Sequence, residues 1–260
     1  MLFRSLVTAG QNGVKIWDCQ RWTEVRQLPG QTASLARTTP LVAIAEVSFF
    51  YWWQSPGAVS VWNYATGEKV RTFPNPSRTA ILAPDGTLLA CAGLERGVDL
   101  WDVATGELRR TLATTNAVRG LEFSPDGQQL VVMGRAMSPL LFDLRNDAAP
   151  RAIHGHLMEV WDAAFSPDGQ VVATTSSDQT VRLTDVATLE SKRVMRGHEH
   201  EVWSVAFSPD GQILATGGKD RRVLLWSPEA RPAITTLPNQ GTLHPFFSPD
   251  GKQIVTVGTP

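Results

Sequence analysis

Apolar and polar positions alternate in short bursts along this chain. Around Val202–Ser208, residues Val202, Ser204, Ala206 and Ser208 interleave with Trp203, Val205 and Phe207, the period of two expected of a β-strand. Pro209-Asp210-Gly211 follows and predicts a turn, because Pro presets φ and Gly accepts φ > 0. Ile213–Ala215 begins a second strand, Val223–Trp226 makes a third, and Ala233–Leu237 a weaker fourth. The predicted unit is four short strands. Apolar runs are short and interrupted, so no segment of membrane-spanning length is expected.

This unit is copied along the chain. The turn recurs as Ala83–Gly86, Ser124–Gly127, Ser166–Gly169, Ser208–Gly211 and Ser248–Gly251, at offsets of 41, 42, 42 and 40. A second marker keeps step: Trp17-Asp18, Trp62-Asn63, Trp101-Asp102, Phe142-Asp143, Thr184-Asp185 and Trp226-Ser227. Two markers sharing one period indicate a repeat architecture, in which each unit buries its faces against its neighbours.

Four strands per unit, a tryptophan-aspartate dipeptide and an upstream Gly-His (Gly155-His156, Gly197-His198) resemble the WD40-repeat family from end to end. The resemblance implies an all-β propeller of four-stranded antiparallel blades, with residues 1–260 as one propeller domain. The chain opens on second, third and fourth strands (Leu6–Ala9, Val14–Trp17, Glu24–Leu28), runs through five full units, and closes on a first and a second (Leu243–Phe247, Gln253–Val257). This count closes neither a six-bladed nor a seven-bladed ring cleanly, and the resemblance implies seven blades with incomplete terminal blades, the number the family favours. A six-bladed ring with a surplus strand is the alternative. The chain reads as a piece of a longer polypeptide, cut mid-blade at both ends. The second unit is the least regular: Val47–Trp53 crowds five aromatics together and reads as a lengthened strand filling both faces, or as an aromatic ledge for a partner.

Charge is balanced, with 24 basic and 25 acidic residues and a net charge of −1. No Lys/Arg run exceeds two in sequence, which argues against a general nucleic-acid grip. The start lacks a signal-peptide design, and Cys19 and Cys91 sit in different repeats, so a cytoplasmic setting is expected.

His156 and His198 suggest metal ligands at first sight. The resemblance gives them a structural role instead, linking a second-strand hydroxyl, the turn aspartate before the third strand, and the tryptophan indole. The sixth unit carries the full set, His198, Thr216, Asp220 and Trp226. The fifth carries His156, Thr174 and Asp178, with Thr184 in the tryptophan's place, and the third puts Cys91 and Glu95 at the hydroxyl and aspartate positions. No metal, cofactor or catalytic residue is expected. Asp85, Asp126, Asp168, Asp210 and Asp250 recur one per unit in equivalent turns and cannot converge on one bond as an acid–base pair must. Thr216-Gly217-Gly218-Lys219 lacks the spacing of a phosphate loop and precedes a strand rather than a helix.

In the family, positions at the start of the innermost strand face the channel entrance. Register puts Glu159, Trp161, Glu201, Trp203, Arg78 and Arg119 there. Tryptophan and arginine dominate interface hot spots, although a recurring tryptophan can equally be a packing residue. The expected function is a non-catalytic scaffold that binds a protein or peptide partner, without membrane or nucleic acid, and monomeric unless its open edges pair. The rival is a ring that takes a small molecule, metal or nucleic acid in its channel, or a propeller enzyme.

Overall fold

The computed structural model describes residues 5–10, 13–18, 21, 23–30, 32–45, 48–50, 53–55, 57–77, 79–92, 97–229, 233–238, 242–248 and 250–259. Cys19, Tyr51, Trp52, Arg78 and Glu95 lie outside them. The described residues form strands, turns and loops, with no helix. Contacts divide the chain into two compact units, Met1–Leu121 and Glu122–Pro260.

Unit 1 begins with a three-stranded sheet of β1 (Ser5–Gly10), β2 (Gly13–Asp18) and β3 (Thr23–Leu28). A four-stranded sheet follows, β4 (Thr32–Leu35), β5 (Leu41–Ala45), β8 (Gly57–Asn63) and β9 (Glu68–Ser77). Between β5 and β8 the chain leaves this sheet as a separate hairpin, β6 (Ser48–Phe50) and β7 (Trp53–Ser55). The lengthened strand expected over Val47–Trp53 is therefore corrected: Ser48–Phe50 pairs antiparallel with Trp53–Ser55, outside the four-stranded sheet, while Val47, Tyr51 and Trp52 lie outside the described residues. The third sheet is β10 (Ala80–Leu82), β11 (Leu88–Ala92), β12 (Val98–Asp102) and β13 (Leu108–Leu112).

The fourth sheet is β14 (Val118–Phe123), within which the division between units falls, β15 (Gln129–Gly134), β16 (Leu140–Asp143) and β17 (Arg151–Ala152). Unit 2 continues with β18 (Val160–Phe165), β19 (Val171–Ser176), β20 (Thr180–Asp185) and β21 (Ser191–Arg196). The next sheet is β22 (Val202–Phe207), β23 (Leu214–Gly218), β24 (Arg222–Trp226) and β25 (Ala233–Pro238), and the last is the pair β26 (Thr242–Phe247) and β27 (Ile254–Thr259). Each four-stranded sheet is an antiparallel meander, apart from the hairpin excursion in the second. Register between the last two strands slips in five sheets immediately before Trp17, Trp62, Trp101, Thr184 and Trp226. Such a bulge re-aims the side chain beside it.

Apolar faces of consecutive sheets make the core. In unit 1, Val14, Ile16 and Leu28 meet Val42 and Ile44, while Val59, Val61 and Phe73 meet Leu89, Cys91 and Trp101. In unit 2, Val131, Met133 and Leu141 meet Val160, Phe165 and Val172, and Ala173, Val181 and Leu183 meet Val205, Leu214 and Trp226.

Polar ties reinforce this stacking. An arginine on a fourth strand reaches the carbonyls of the turn after the next sheet's third strand. Arg71 donates to Val103 O (3.3 Å) and Ala104 O (2.7 Å), Arg151 to Val186 O (2.9 Å) and Ala187 O (2.8 Å), and Arg193 to Ser227 O (2.7 Å) and Pro228 O (3.1 Å). Arg26 makes the equivalent bond to Ala65 O at 3.4 Å. A charged planar donor meeting carbonyls makes a stronger bond than a neutral one.

The Pro-Asp-Gly turns of unit 2 also stack. A side chain on Gly169, Gly211 or Gly251 would meet Pro125, Pro167 or Pro209 of the preceding turn at 3.4–3.7 Å, and all three glycines have φ near +70°. The positive φ accounts for the glycine, since the neighbouring proline leaves room for a Cβ in ordinary contact. In each turn the aspartate accepts from a serine hydroxyl and from the N–H two residues on, as Asp168 does from Ser166 (2.6 Å) and Gln170 (3.0 Å). These bonds hold the Asp168, Asp210 and Asp250 carboxyls below the ordinary carboxylate range. The turn end of unit 2 is thus committed to joining sheet to sheet.

Candidate functional site

The opposite end of unit 2 carries the loops between second and third strands and those between sheets. Two histidines anchor it from below. Around His198, Trp226 Nε1–H donates to Thr216 Oγ1 (2.8 Å), the Thr216 hydroxyl faces His198 Nε2 (2.8 Å), and His198 Nδ1 faces Asp220 Oδ2 (2.8 Å). A neutral imidazole with its proton on Nδ1 satisfies every member of this chain, with the threonine hydroxyl donating to Nε2. Around His156, Nε2 meets Thr174 Oγ1 and Nδ1 meets Asp178 Oδ2, each at 2.9 Å.

The fifth unit handles its missing tryptophan with an arginine. A side chain on Gly197 would strike Trp226 at 2.9 Å, whereas one on Gly155 would strike the Arg182 guanidinium at 2.7 Å. Arg182 lies two residues before Thr184 on β20 and covers the glycine as the indole does in the next sheet. Thr184 Oγ1 is left buried without a hydrogen-bond partner among the described residues. So is Trp101 Nε1 of the third unit, where Cys91 stands ten residues before the tryptophan, as Thr216 does before Trp226.

Burial pushes both imidazoles below their ordinary value of 6.5, outweighing the pull of Asp178 and Asp220. The unfolded chain therefore binds more protons at these sites as pH falls below about 6.5, so their contribution to stability is present above that value and lost on acidification. Asp162 on β18 acts in the opposite sense. Its carboxyl accepts from Ala163 N–H (2.9 Å) and, across to the next sheet, from Val205 N–H (3.0 Å). Burial nonetheless pushes it up to about 7 from 3.8. That group favours the folded state at low pH and loses its contribution as pH rises through 7. Asp162→Asn should accordingly steepen the fall in stability between pH 6.5 and 4, by up to about 1.4 kcal/mol per pH unit. Urea unfolding of parent and variant at several pH values measures this, and parallel curves would refute it.

Above this base, the Trp161 and Trp203 rings meet edge to face, with centroids 6.5 Å apart and planes at 64°. Trp161 Nε1–H donates to Ser177 Oγ (2.7 Å), and Trp203 Nε1–H to Glu201 Oε2 (3.0 Å). Lys219 Nζ bonds the other Glu201 oxygen at 3.1 Å. The Trp203 and Lys219 bonds hold the Glu201 carboxyl below its ordinary range. Glu159 is half-buried beside Trp161, and its carbonyl accepts from Ser177 N–H at 2.9 Å. Arg119, exposed on β14, belongs to unit 1, and Arg78 is outside the described residues. The structure thus brings together the two tryptophans and Glu201, with Glu159 alongside.

Sequence reasoning passed over Met137, Leu157 and Met158, which are exposed at 55%, 76% and 53%. A signal existed in the register: Leu157-Met158 occupies the positions that Glu199-His200 fills one repeat later. Among the described residues no group of three or more His, Cys, Asp or Glu side chains is arranged to hold a metal ion. Among the described residues no helix is long and apolar enough to cross a membrane.

The profile of the family described as "WD domain, G-beta repeat" matches residues 150–185 and 189–227, the two repeats that carry His156 and His198. The chain carries two WD40 repeats. Its fold is the all-β WD40 propeller type, built of four-stranded antiparallel sheets. Similar proteins include Eukaryotic translation initiation factor 3 subunit I of Phaeosphaeria nodorum, 38% identical over 68 residues, which is 25% of this chain and 20% of that protein. The same subunit of Aspergillus terreus is 36% identical over 78 residues, covering 29% and 23%. That of Scheffersomyces stipitis is 30% identical over 98 residues, covering 35% and 28%. The matches span less than a third of each relative's length. Unit 2 thus has a turn end occupied by inter-sheet bonding and a loop end that presents side chains.

Proposed function

We propose that this WD40 protein is a non-catalytic scaffold that binds a protein or peptide partner through the loop end of unit 2, on the surface around Trp161 and Trp203. The observation that carries this is the aromatic pair itself, pinned at both indole N–H groups and half-exposed. Rigid aromatic anchors lose little entropy when a partner covers them. Glu159 and Glu201 edge the surface, and Arg78 and Arg119 belong to the same proposal by register. The relatives are subunits of an initiation factor, which is in keeping with work inside an assembly. The absence of catalysis is supported by how the reactive groups are employed. The turn aspartates bind their own turns, the histidines are buried in the scaffold, and burial pushes the Cys91 thiol up to about 12. A cytoplasmic setting is part of the reading, from the two cysteines in separate repeats.

The test compares the parent with Trp161→Ala/Trp203→Ala as bait in affinity capture, followed by a titration of the partner recovered. A loss of affinity of about tenfold or more is expected, in line with interface hot spots, with a thermal melt confirming that the variant is folded. Equal affinity in a folded variant would overturn the assignment.

A further inference from the structure

We infer that the partner contacts this surface with apolar side chains, seated on Met137, Leu157 and Met158 beside the tryptophan pair. The inference rests on the platform reading above and adds the chemistry of the occupant.

Hydrogen bonds stitch two loops into one surface. The turn after β15 is held against the loop before β18 by Val160 N–H to Ala136 O (3.4 Å) and by Ser138 Oγ with His154 Nδ1 (3.1 Å). Met137 lies between Ala136 and Ser138, the tie points on one loop, and Leu157 and Met158 lie between His154 and Val160, the tie points on the other, so the three side chains emerge from adjacent loops. Trp161 follows directly on β18, and Trp203 packs against it.

The backbone beneath these side chains is fixed. Leu157 N–H donates to Asp178 Oδ2 (2.9 Å), Met158 O accepts from Ser176 Oγ (3.2 Å), and Glu159 O accepts from Ser177 N–H (2.9 Å). Burial opposes ionisation of Asp178, yet bonds from Thr180, Leu157 N–H and His156 prevail and hold it at about 2. It therefore remains a charged acceptor throughout the neutral range. The loop is pinned on its polar side while large apolar groups face water, an arrangement pre-organised for a contact. Two methionines let such a surface adapt to side chains of different shape.

Charge at the rim favours an apolar occupant over an ionic one. Glu201 is paired with Lys219 (3.1 Å) and Glu199 with Arg222 (2.7 Å). These carboxylates are neutralised within the chain, and a partner's cation would have to displace a lysine or arginine to reach them. Affinity should therefore depend little on salt.

The experiment selects a displayed library of random dodecapeptides against the whole chain. Binders are then titrated against the parent, Leu157→Asp/Met158→Asp and Trp161→Ala/Trp203→Ala. Because Leu157 and Met158 are exposed, the aspartate variant should melt with the parent. Support consists of binders enriched in Leu, Met, Phe or Ile whose affinity falls tenfold or more in the aspartate variant, and changes less than about threefold between about 0.05 and 0.5 M NaCl. Binders that survive the aspartates but are lost with the tryptophans overturn the inference and leave the platform standing. Charged, salt-sensitive binders do the same. Binders indifferent to both variants, or none at all, overturn both readings. Dimerisation of the parent on dilution-series light scattering, abolished by the aspartates, overturns the inference in favour of a second copy.

Discussion

Thr216→Val should lower the unfolding free energy by about 2–4 kcal/mol, measured by urea or thermal unfolding. The substitution keeps the shape of a fully buried residue and removes only the hydroxyl. Two groups then lose their partner at once, Trp226 Nε1–H and His198 Nε2. Each buried polar group left unsatisfied costs about 1–3 kcal/mol, whereas the bond itself is worth about 1. Thr174→Val supplies the internal comparison. Thr184 replaces the tryptophan in that unit, so Thr174 Oγ1 serves His156 Nε2 and no indole. Its loss should be roughly half as large, about 1–2 kcal/mol. Equal effects at the two sites would show that the indole bond contributes nothing.

Phe73→Ala should be more costly, at about 3–5 kcal/mol, because it combines lost transfer energy with a cavity. Phe73 is fully buried on β9, and its ring meets Trp101 edge to face with centroids 5.8 Å apart. Around it lie Val59 and Val61 from its own sheet and Leu89 and Cys91 from the next. Residues held between two sheets on bonded backbones have little freedom to collapse into the void. Phe73→Leu should recover more than half of the loss, since it refills most of the volume. A melt of Phe73→Ala within a degree or two of the parent would show that the second and third sheets are not held together by this contact.

Much of the fold was legible because its signals are local. The alternation in Val202–Phe207 and the turn Ser208–Gly211 define a hairpin without reference to any distant residue, and β22 and β23 pair across that turn. The partition into three initial strands, five sets of four and two final strands is likewise the grouping seen in the sheets. The hairpin β6–β7 was missed because an unbroken aromatic run shows no period that separates one strand from two. Of the candidate site, the tryptophans were found by register. Leu157 and Met158 were not, because two apolar residues in a loop look unremarkable until their exposure is known.

What the sequence determined by itself was the repeating unit, where each turn falls and which residue types meet in each sheet, since these follow from side-chain period and from the φ preferences of Pro and Gly. Which side chains are bonded and which are presented was decided only by the tertiary structure. Arg71, Arg151 and Arg193 read as ordinary surface charges until the neighbouring sheet brings carbonyls within reach. Arg182 covers Gly155 only because β20 aims it there. The physical reason is range: strand and turn preferences act over a few residues, whereas the pairing of Trp161 with Trp203 depends on elements about forty residues apart in the chain.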